Sequence, residues 1–240
     1  MTQTWQAPAV ATPVRPQPRR RRRRAWWLIP SAVVIVATVV YMVSAYAPPD
    51  PETSRVDVSD GMWHYVFLVA HVGFAAVATL TGLLQFWPTL RNRYPKVHRW
   101  TGRVYFWGGI FPAIVAVAAI IWTSPSGVSN VIGQYTLLGF WTFTGIAGLR
   151  AARARRFADH RKWMIRNYAA TLTALVTRPM GIIMLMIVLS QANTPQYQND
   201  QLVILHDMAS GGIWLSMMIT LGIAEYYIYR KYGNGRRRRA

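Results

Sequence analysis

The second long apolar stretch of the chain carries two histidines on one predicted helix face. His64 and His71 are seven residues apart, so they lie on the same side of an α-helix. At helical spacing this face continues through small and polar residues, namely Ala75, Ala78, Gly82 and Gln85. Small side chains permit close helix packing in lipid, so the face is typical of helix–helix contact with hydrogen-bonded histidines. The alternative is a ligand site at His71, or copper or zinc binding by His64 and His71.

Two further histidines open similar motifs, each of which leads into an apolar stretch. The motifs read His98-Arg99-Trp-Thr-Gly-Arg103-Val-Tyr105 and His160-Arg161-Lys-Trp-Met-Ile-Arg166-Asn-Tyr168. Their parallel placement fits a duplicated helical hairpin. Arg, Trp and Tyr at such places are ordinary anchors at a membrane surface. In the alternative interpretation, the two histidines together with Arg99 and Arg161 bind one anionic cofactor or lipid headgroup.

Ionisable residues also occur inside the apolar stretches. Arg178 precedes Pro179 in the fifth stretch, and His206 and Asp207 lie near the start of the sixth. A charge in hydrocarbon costs several kcal/mol unless it is paired or hydrated, so these side chains are predicted to face the bundle interior. Asp207 is the expected partner of Arg178. A static ion pair and a working site both remain open.

Six apolar segments must position these side chains, at roughly 26–47, 62–87, 100–123, 132–149, 164–190 and 201–229. Each is long enough to cross about 30 Å of hydrocarbon. Backbone amides in lipid must be satisfied within their own segment, which requires helices. The sequence therefore predicts an all-α integral membrane protein with about six transmembrane helices over residues 26–230. A disordered arm rich in Pro and Arg (1–25) precedes this domain, and a basic tail (231–240) follows it.

The distribution of charge predicts the orientation. The connections after the second and fourth segments are rich in Arg and Lys, whereas those after the first, third and fifth together contain five acids and only Arg55 as a basic residue. The positive-inside rule then places both termini in the cytoplasm, with the chain crossing the cell membrane several times. The sequence Ala45-Tyr46-Ala47 leaves cleavage after the first segment open, but the length of that segment favours a retained helix.

The amino-acid composition limits the kinds of binding partner and of chemistry that this protein can have. The 240-residue chain is 52% hydrophobic and has 27 basic against 8 acidic side chains. Because the basic residues lie between apolar segments, the expected partners are the lipid bilayer, its anionic headgroups and other membrane proteins, not nucleic acid. The absence of cysteine excludes disulfides and thiolate chemistry. There is no phosphate-binding glycine loop, nucleophile elbow or His-Glu-x-x-His motif, so enzymatic activity stays undecided.

Several ordered motifs carry a family resemblance. They are His71-Val-Gly-Phe, Thr81-Gly82-Leu-Leu-Gln85-Phe86, the His98 motif, and the His160 motif extended to Arg178. Over about residues 65–185 these motifs resemble the bacterial membrane proteins called domain of unknown function 2306. That resemblance implies a multi-helix membrane domain and no established activity.

A looser resemblance is to the cytochrome b561 group of two-haem helical bundles, which place one histidine pair near each membrane face. The resemblance implies two b haems. His98 and His160 would ligate the inner one, and His71 and His206 would be the metal ligands of the outer one. Arginines such as Arg99 and Arg161 would neutralise the haem propionates. The chain departs from that pattern because its inner histidines lie at the very edge of their segments and its outer two differ in expected depth.

Three functions fit these features. The first is a non-catalytic scaffold or accessory subunit of a membrane complex. The second is haem-based or quinone-linked electron transfer, and the third is a small proton-coupled transporter that uses Arg178, His206 and Asp207. We rank them in this order.

Overall fold

Helices form wherever the sequence is apolar for long enough. The computed structural model describes residues 28–47, 61–123 and 127–233, and these residues contain no β-strand. The long helices are α1 (Leu28–Ser44), α2 (Met62–Gln85), α5 (Phe111–Thr123), α6 (Val128–Arg153), α7 (Phe157–Leu189) and α8 (Gln201–Ile228). Two short helices, α3 (Pro88–Arg93) and α4 (Pro95–Arg103), follow α2. A π-helical segment (Val104–Ile110) joins α4 to α5, and another (Tyr229–Gly233) ends the described chain.

The predicted fold class, an all-α membrane protein, is confirmed. Four continuous helices are long and apolar enough to cross a membrane, namely Met62–Gln85, Pro95–Trp122, Phe157–Leu189 and Gln201–Gly233. The apolar helix α1 is shorter, with 17 residues. The remaining segment also forms a helix, α6, of 26 residues. The number of spans and the sidedness stay predictions, and the N-terminal arm and most of the basic tail lie outside the described residues.

Two long helices begin earlier than the apolar pattern predicts, and proline marks one of these starts. Pro88 and Pro95 each occupy the first turn of a short helix, where the missing N–H costs nothing. As a result, the third long helix begins at Pro95 and not near residue 100. Helix α7 likewise begins before residue 164, at Phe157, because the polar residues ahead of the apolar stretch continue its first turns.

Close backbone approaches hold the bundle together. Helix α2 packs against α5 and the π-helical segment, while α7 packs against α6 and α8. A Cβ added to Gly109 would lie 2.8 Å from the Cα of Ala78, and one added to Gly212 would lie 3.2 Å from the Cα of Gly181. The small-residue face of α2 is therefore a packing face, as in other helix pairs in lipid.

A buried polar network lies at the centre of the bundle. The Tyr105 hydroxyl donates to Asn167 Oδ1 at 2.7 Å, and the Asn167 amide donates to the Trp141 carbonyl at 2.8 Å. The same amide contacts the Thr144 hydroxyl at 3.1 Å. The Trp141 indole N–H donates to Thr171 Oγ1 at 3.0 Å. Because these buried groups satisfy one another, the network fixes the π-helical segment, α6 and α7 in one arrangement.

Candidate functional site

Basic side chains concentrate at one end of the bundle, where α2 ends and α7 begins. Within the described residues, every Lys and Arg except Arg178 belongs to this basic end: Arg91, Arg93, Lys96, Arg99, Arg103, Arg150, Arg153, Arg155, Arg156, Arg161, Lys162, Arg166, Arg230 and Lys231. The separate elements meet there: Lys162 Nζ on α7 lies 6.0 Å from the ring centre of Tyr232, and His160 on α7 is within electrostatic range of His98 on α4. The basic end is therefore one continuous surface built from three parts of the sequence.

Both carboxylates at the basic end, Asp159 and Glu225, form ion pairs with neighbouring cations. Asp159 lies 3.8 Å from Arg156 and 3.7 Å from Lys162. Glu225 accepts two hydrogen bonds from the Arg166 guanidinium, one of them at 2.9 Å, and thereby joins α7 to α8. Most of the other cations have no ion-pair partner among the residues that the structure describes. This end of the bundle therefore carries a large uncompensated positive charge.

Gln85 orients His98 at the basic end. In the orientation that satisfies its neighbours, the Gln85 amide nitrogen donates to His98 Nδ1 at 2.9 Å and to the His98 carbonyl at 3.2 Å. The Gln85 carbonyl oxygen accepts from the Thr101 hydroxyl at 2.7 Å. Because Nδ1 accepts a hydrogen bond, the proton of a neutral His98 ring lies on Nε2. His98 is thus a hydrogen-bond donor and, in this tautomer, is not set up as a metal ligand.

His160 is oriented differently, although it lies close by. Its Nδ1 donates to the Gly148 carbonyl at 2.9 Å, which leaves Nε2 as an acceptor in the neutral ring. The two rings lie within range of electrostatic interaction, and Arg91 is also within range of His98. The structure therefore brings together the predicted inner pair, which in the sequence is 62 residues apart. Arg99 and Arg161, predicted beside them, lie on the same end and are exposed.

His71 lies inside the bundle, half-buried on α2. Its Nδ1 donates to the Ala113 carbonyl at 3.1 Å, and the ring is within electrostatic range of Arg178. A ligating histidine commonly donates its other N–H to a backbone carbonyl, so His71 and His160 both have the orientation of a ligand. No group of three or more His, Asp or Glu side chains is placed to hold a metal ion in the described part of the chain.

The predicted outer-level residues are arranged differently from the expectation. Helix α2, with His71, packs mainly against α1, α5 and the π-helical segment, whereas α8, with His206, packs mainly against α6 and α7. The structure therefore does not pair these two histidines across one helix interface. The expected ion pair between Arg178 and Asp207 is also absent from the described residues. Asp207 instead accepts a hydrogen bond from the Tyr197 hydroxyl at 3.0 Å.

Sequence reasoning missed two contributors to these sites. The sequence pattern places Gln85 only on a packing face, yet this residue orients His98; its position at the end of α2 was the available signal. Tyr197 lies in the connection between α7 and α8, which has no periodicity, so no sequence signal identified it. It is buried against Val188 and Ile204.

The fold and the charge distribution define a helical membrane protein. The chain belongs to the family described as predicted membrane protein (DUF2306), whose model matches residues 68–228. No curated protein and no solved structure matches the chain. The matched range contains His71, His98, His160 and His206, the basic end up to α8, and the buried network around Asn167.

Proposed function

We propose that this protein is a non-catalytic scaffold or accessory subunit of a membrane complex, and that its basic end faces the cytoplasm and holds anionic phospholipid headgroups. A juxtamembrane Lys or Arg contributes about 1 kcal/mol to attraction toward an anionic membrane surface. The basic end has many such residues, so their combined effect is large even after screening by salt.

The observation that carries the proposal is the uncompensated charge around His98. Arg91 lies within electrostatic range of His98, whose neutral ring carries its proton on Nε2, and the two carboxylates of this end are bound to other cations. A phosphate group accepts several charge-assisted hydrogen bonds at once and fits such a site. The exposed rings of Trp87 and Tyr94 at the two ends of α3, and of Trp100 on α4, are suited to the interfacial layer of a bilayer.

The test compares the thermal unfolding of the full-length protein in nanodiscs of phosphatidylcholine alone and with added phosphatidylglycerol. The proposal predicts a higher Tm with phosphatidylglycerol, and a loss of the difference at high salt. Inorganic phosphate added to phosphatidylcholine discs distinguishes a lipid headgroup from a free anion, because only a headgroup is concentrated at the surface. Equal Tm values in the two lipids would contradict the proposal.

A pair of matched variants separates site binding from general attraction. Arg91→Gln removes the guanidinium that lies within range of His98, whereas Arg93→Gln removes the same charge from the same helix, where it lies 5.9 Å from the Tyr94 ring centre. We expect Arg91→Gln to lose more of the stabilisation by phosphatidylglycerol than Arg93→Gln does. Equal losses would show that only net charge matters.

A second candidate function, haem-based electron transfer, is favoured by the orientation of His71 and His160. Each ring donates from Nδ1 to a backbone carbonyl and so directs Nε2 away from that contact. The His98 tautomer and the separate packing of α2 and α8 argue against the full two-level arrangement. A visible spectrum of protein produced with ample haem tests this candidate. A Soret band that disappears in His71→Gln or His160→Gln supports it, and colourless protein refutes it.

A further inference from the structure

A cavity opens at the end of the bundle opposite the basic end, between the first turns of α6 and α8. Its volume is about 220 Å³, and it is lined by residues 127–130 together with His206, Asp207 and Ser210. That volume is somewhat below the usual range for drug-sized ligands, roughly 300–1,000 Å³. The cavity therefore suits a small molecule.

One wall of the cavity is an uncapped helix N-terminus. The first backbone hydrogen bond of α6 runs from Val131 N–H to the Gly127 carbonyl at 3.0 Å, and no side chain caps the helix. Within the described residues, the N–H groups of Val128, Ser129 and Asn130 have no acceptor. Free N–H groups and the positive end of the helix dipole attract an anionic group such as a carboxylate.

Asn130 supplies independent evidence that this wall meets a ligand. Its side chain is only 7% exposed and lines the cavity, and its amide makes no hydrogen bond with any residue that the structure describes. The exposed part of this residue faces the cavity, so a ligand there could form hydrogen bonds with the amide.

The opposite wall carries a carboxylate that is held in place. Tyr197 donates to Asp207 Oδ2 at 3.0 Å, while no described residue donates to Oδ1. Since an ionised carboxylate can accept several hydrogen bonds, Asp207 retains capacity for a donor in the cavity. No Lys or Arg lines the cavity, so the charge of Asp207 favours a cationic group on this side.

We propose that this cavity binds a small zwitterion of the amino acid class, with its carboxylate at the N-terminal N–H groups of α6 and its ammonium group at Asp207. The two walls attract opposite charges, and neither an anion nor a cation alone satisfies both. A zwitterion satisfies the helix N-terminus, the Asn130 amide and the free carboxylate oxygen at once. This site is separate from the basic end and does not depend on the function proposed for it.

The experiment measures binding of three probes to the wild-type, full-length protein in nanodiscs by isothermal titration calorimetry. L-Alanine carries both groups, ethylammonium lacks the carboxylate, and propionate lacks the ammonium. We expect L-alanine to bind at least about tenfold more tightly than either half-ligand, a difference of about 1.4 kcal/mol. The proposal would be overturned if the wild-type protein did not bind L-alanine, or if it bound ethylammonium or propionate as tightly as L-alanine.

Variants then assign the two walls. Asp207→Asn is expected to weaken L-alanine and ethylammonium but not propionate, and Asn130→Ala to weaken L-alanine and propionate but not ethylammonium. The matched control is Asp200→Asn, which removes a carboxylate from the same end of α8 yet keeps an oxygen to cap Leu202 N–H. An equal loss of L-alanine binding in Asp200→Asn and Asp207→Asn would contradict the assignment.

Discussion

Tyr168 on α7 donates a hydrogen bond to the Thr79 carbonyl on α2 at 3.0 Å, across the space that Gly82 leaves open. A Cβ on Gly82 would lie 2.5 Å from Tyr168 Cε2 and 2.7 Å from Tyr105 Cε2. The two tyrosines that end the sequence motifs thus converge on one glycine. This contact connects the helices that carry His71 and His160.

Gly82→Ala is expected to destabilise the protein by about 1–3 kcal/mol, because two buried tyrosine rings have to move. The matched control is Gly139→Ala on α6, where an added Cβ would meet nothing within 4 Å. Urea or thermal unfolding in a mild detergent measures both variants. Equal stability of the two alanine variants would show that the tyrosines adjust without cost.

Asn167→Ala removes the centre of the buried network, so that the Tyr105 hydroxyl keeps only its contact with Thr171 and the Trp141 carbonyl loses its hydrogen bond from α7. Each lost hydrogen bond costs about 0.5–1.5 kcal/mol, so we expect a clear loss of stability. Asn92→Ala on the exposed surface of α3 is the control and should change little. A small effect of Asn167→Ala would mean that the network does not hold the elements together.

The bidentate contact between Arg166 and Glu225 predicts a measurable but modest coupling. Because the Glu225 side chain is 53% exposed, a double-mutant cycle with Arg166→Gln and Glu225→Gln should give about 0.2–1 kcal/mol. The coupling should decrease at high salt, since the pair is partly screened. A coupling that does not respond to salt would contradict this interpretation.

The hydrogen bond to Asp207 raises the pKa of Tyr197 above its usual value of 10.0. A raised pKa of the folded state means that the contribution of Tyr197 to stability is complete below pH 10 and is lost as the pH rises through the folded-state pKa. Tyr197→Phe should therefore lose stability at neutral pH and show a smaller further loss under alkaline conditions than the wild type. Parallel curves of Tm against pH for the two proteins would refute the role of this hydroxyl.

Gly127, which lines the cavity between α6 and α8, has a backbone conformation that favours glycine. It has a φ of 79°, and an added Cβ would lie 3.1 Å from His206 Cγ. Gly127→Ala should cost about 1–3 kcal/mol through backbone strain alone, and it should also shift the His206 ring. The Nε2 and Cε1 resonances of His206 in an NMR spectrum report that shift. Unchanged stability together with unchanged resonances would contradict the predicted crowding.

The sequence predicted the helices well, because a sufficiently long apolar segment is enough to indicate a membrane helix. The nearness of His98 and His160 followed from their equivalent places at the ends of two segments. The partner of Asp207 could not be predicted in the same way. It depends on the rotation of α8 and on the fold of the connection that carries Tyr197, and both are set by tertiary packing.

The sidedness of the basic end is the claim on which the proposed lipid-binding role depends most directly. The chain contains no cysteine, so single cysteines can be introduced as reporters. Ala154→Cys lies at the basic end, and Asn193→Cys lies in the connection at the opposite end; both positions are exposed. In intact cells, a membrane-impermeant maleimide should label Asn193→Cys at once and Ala154→Cys only after permeabilisation. Labelling of Ala154→Cys in intact cells, with Asn193→Cys protected, would contradict the account.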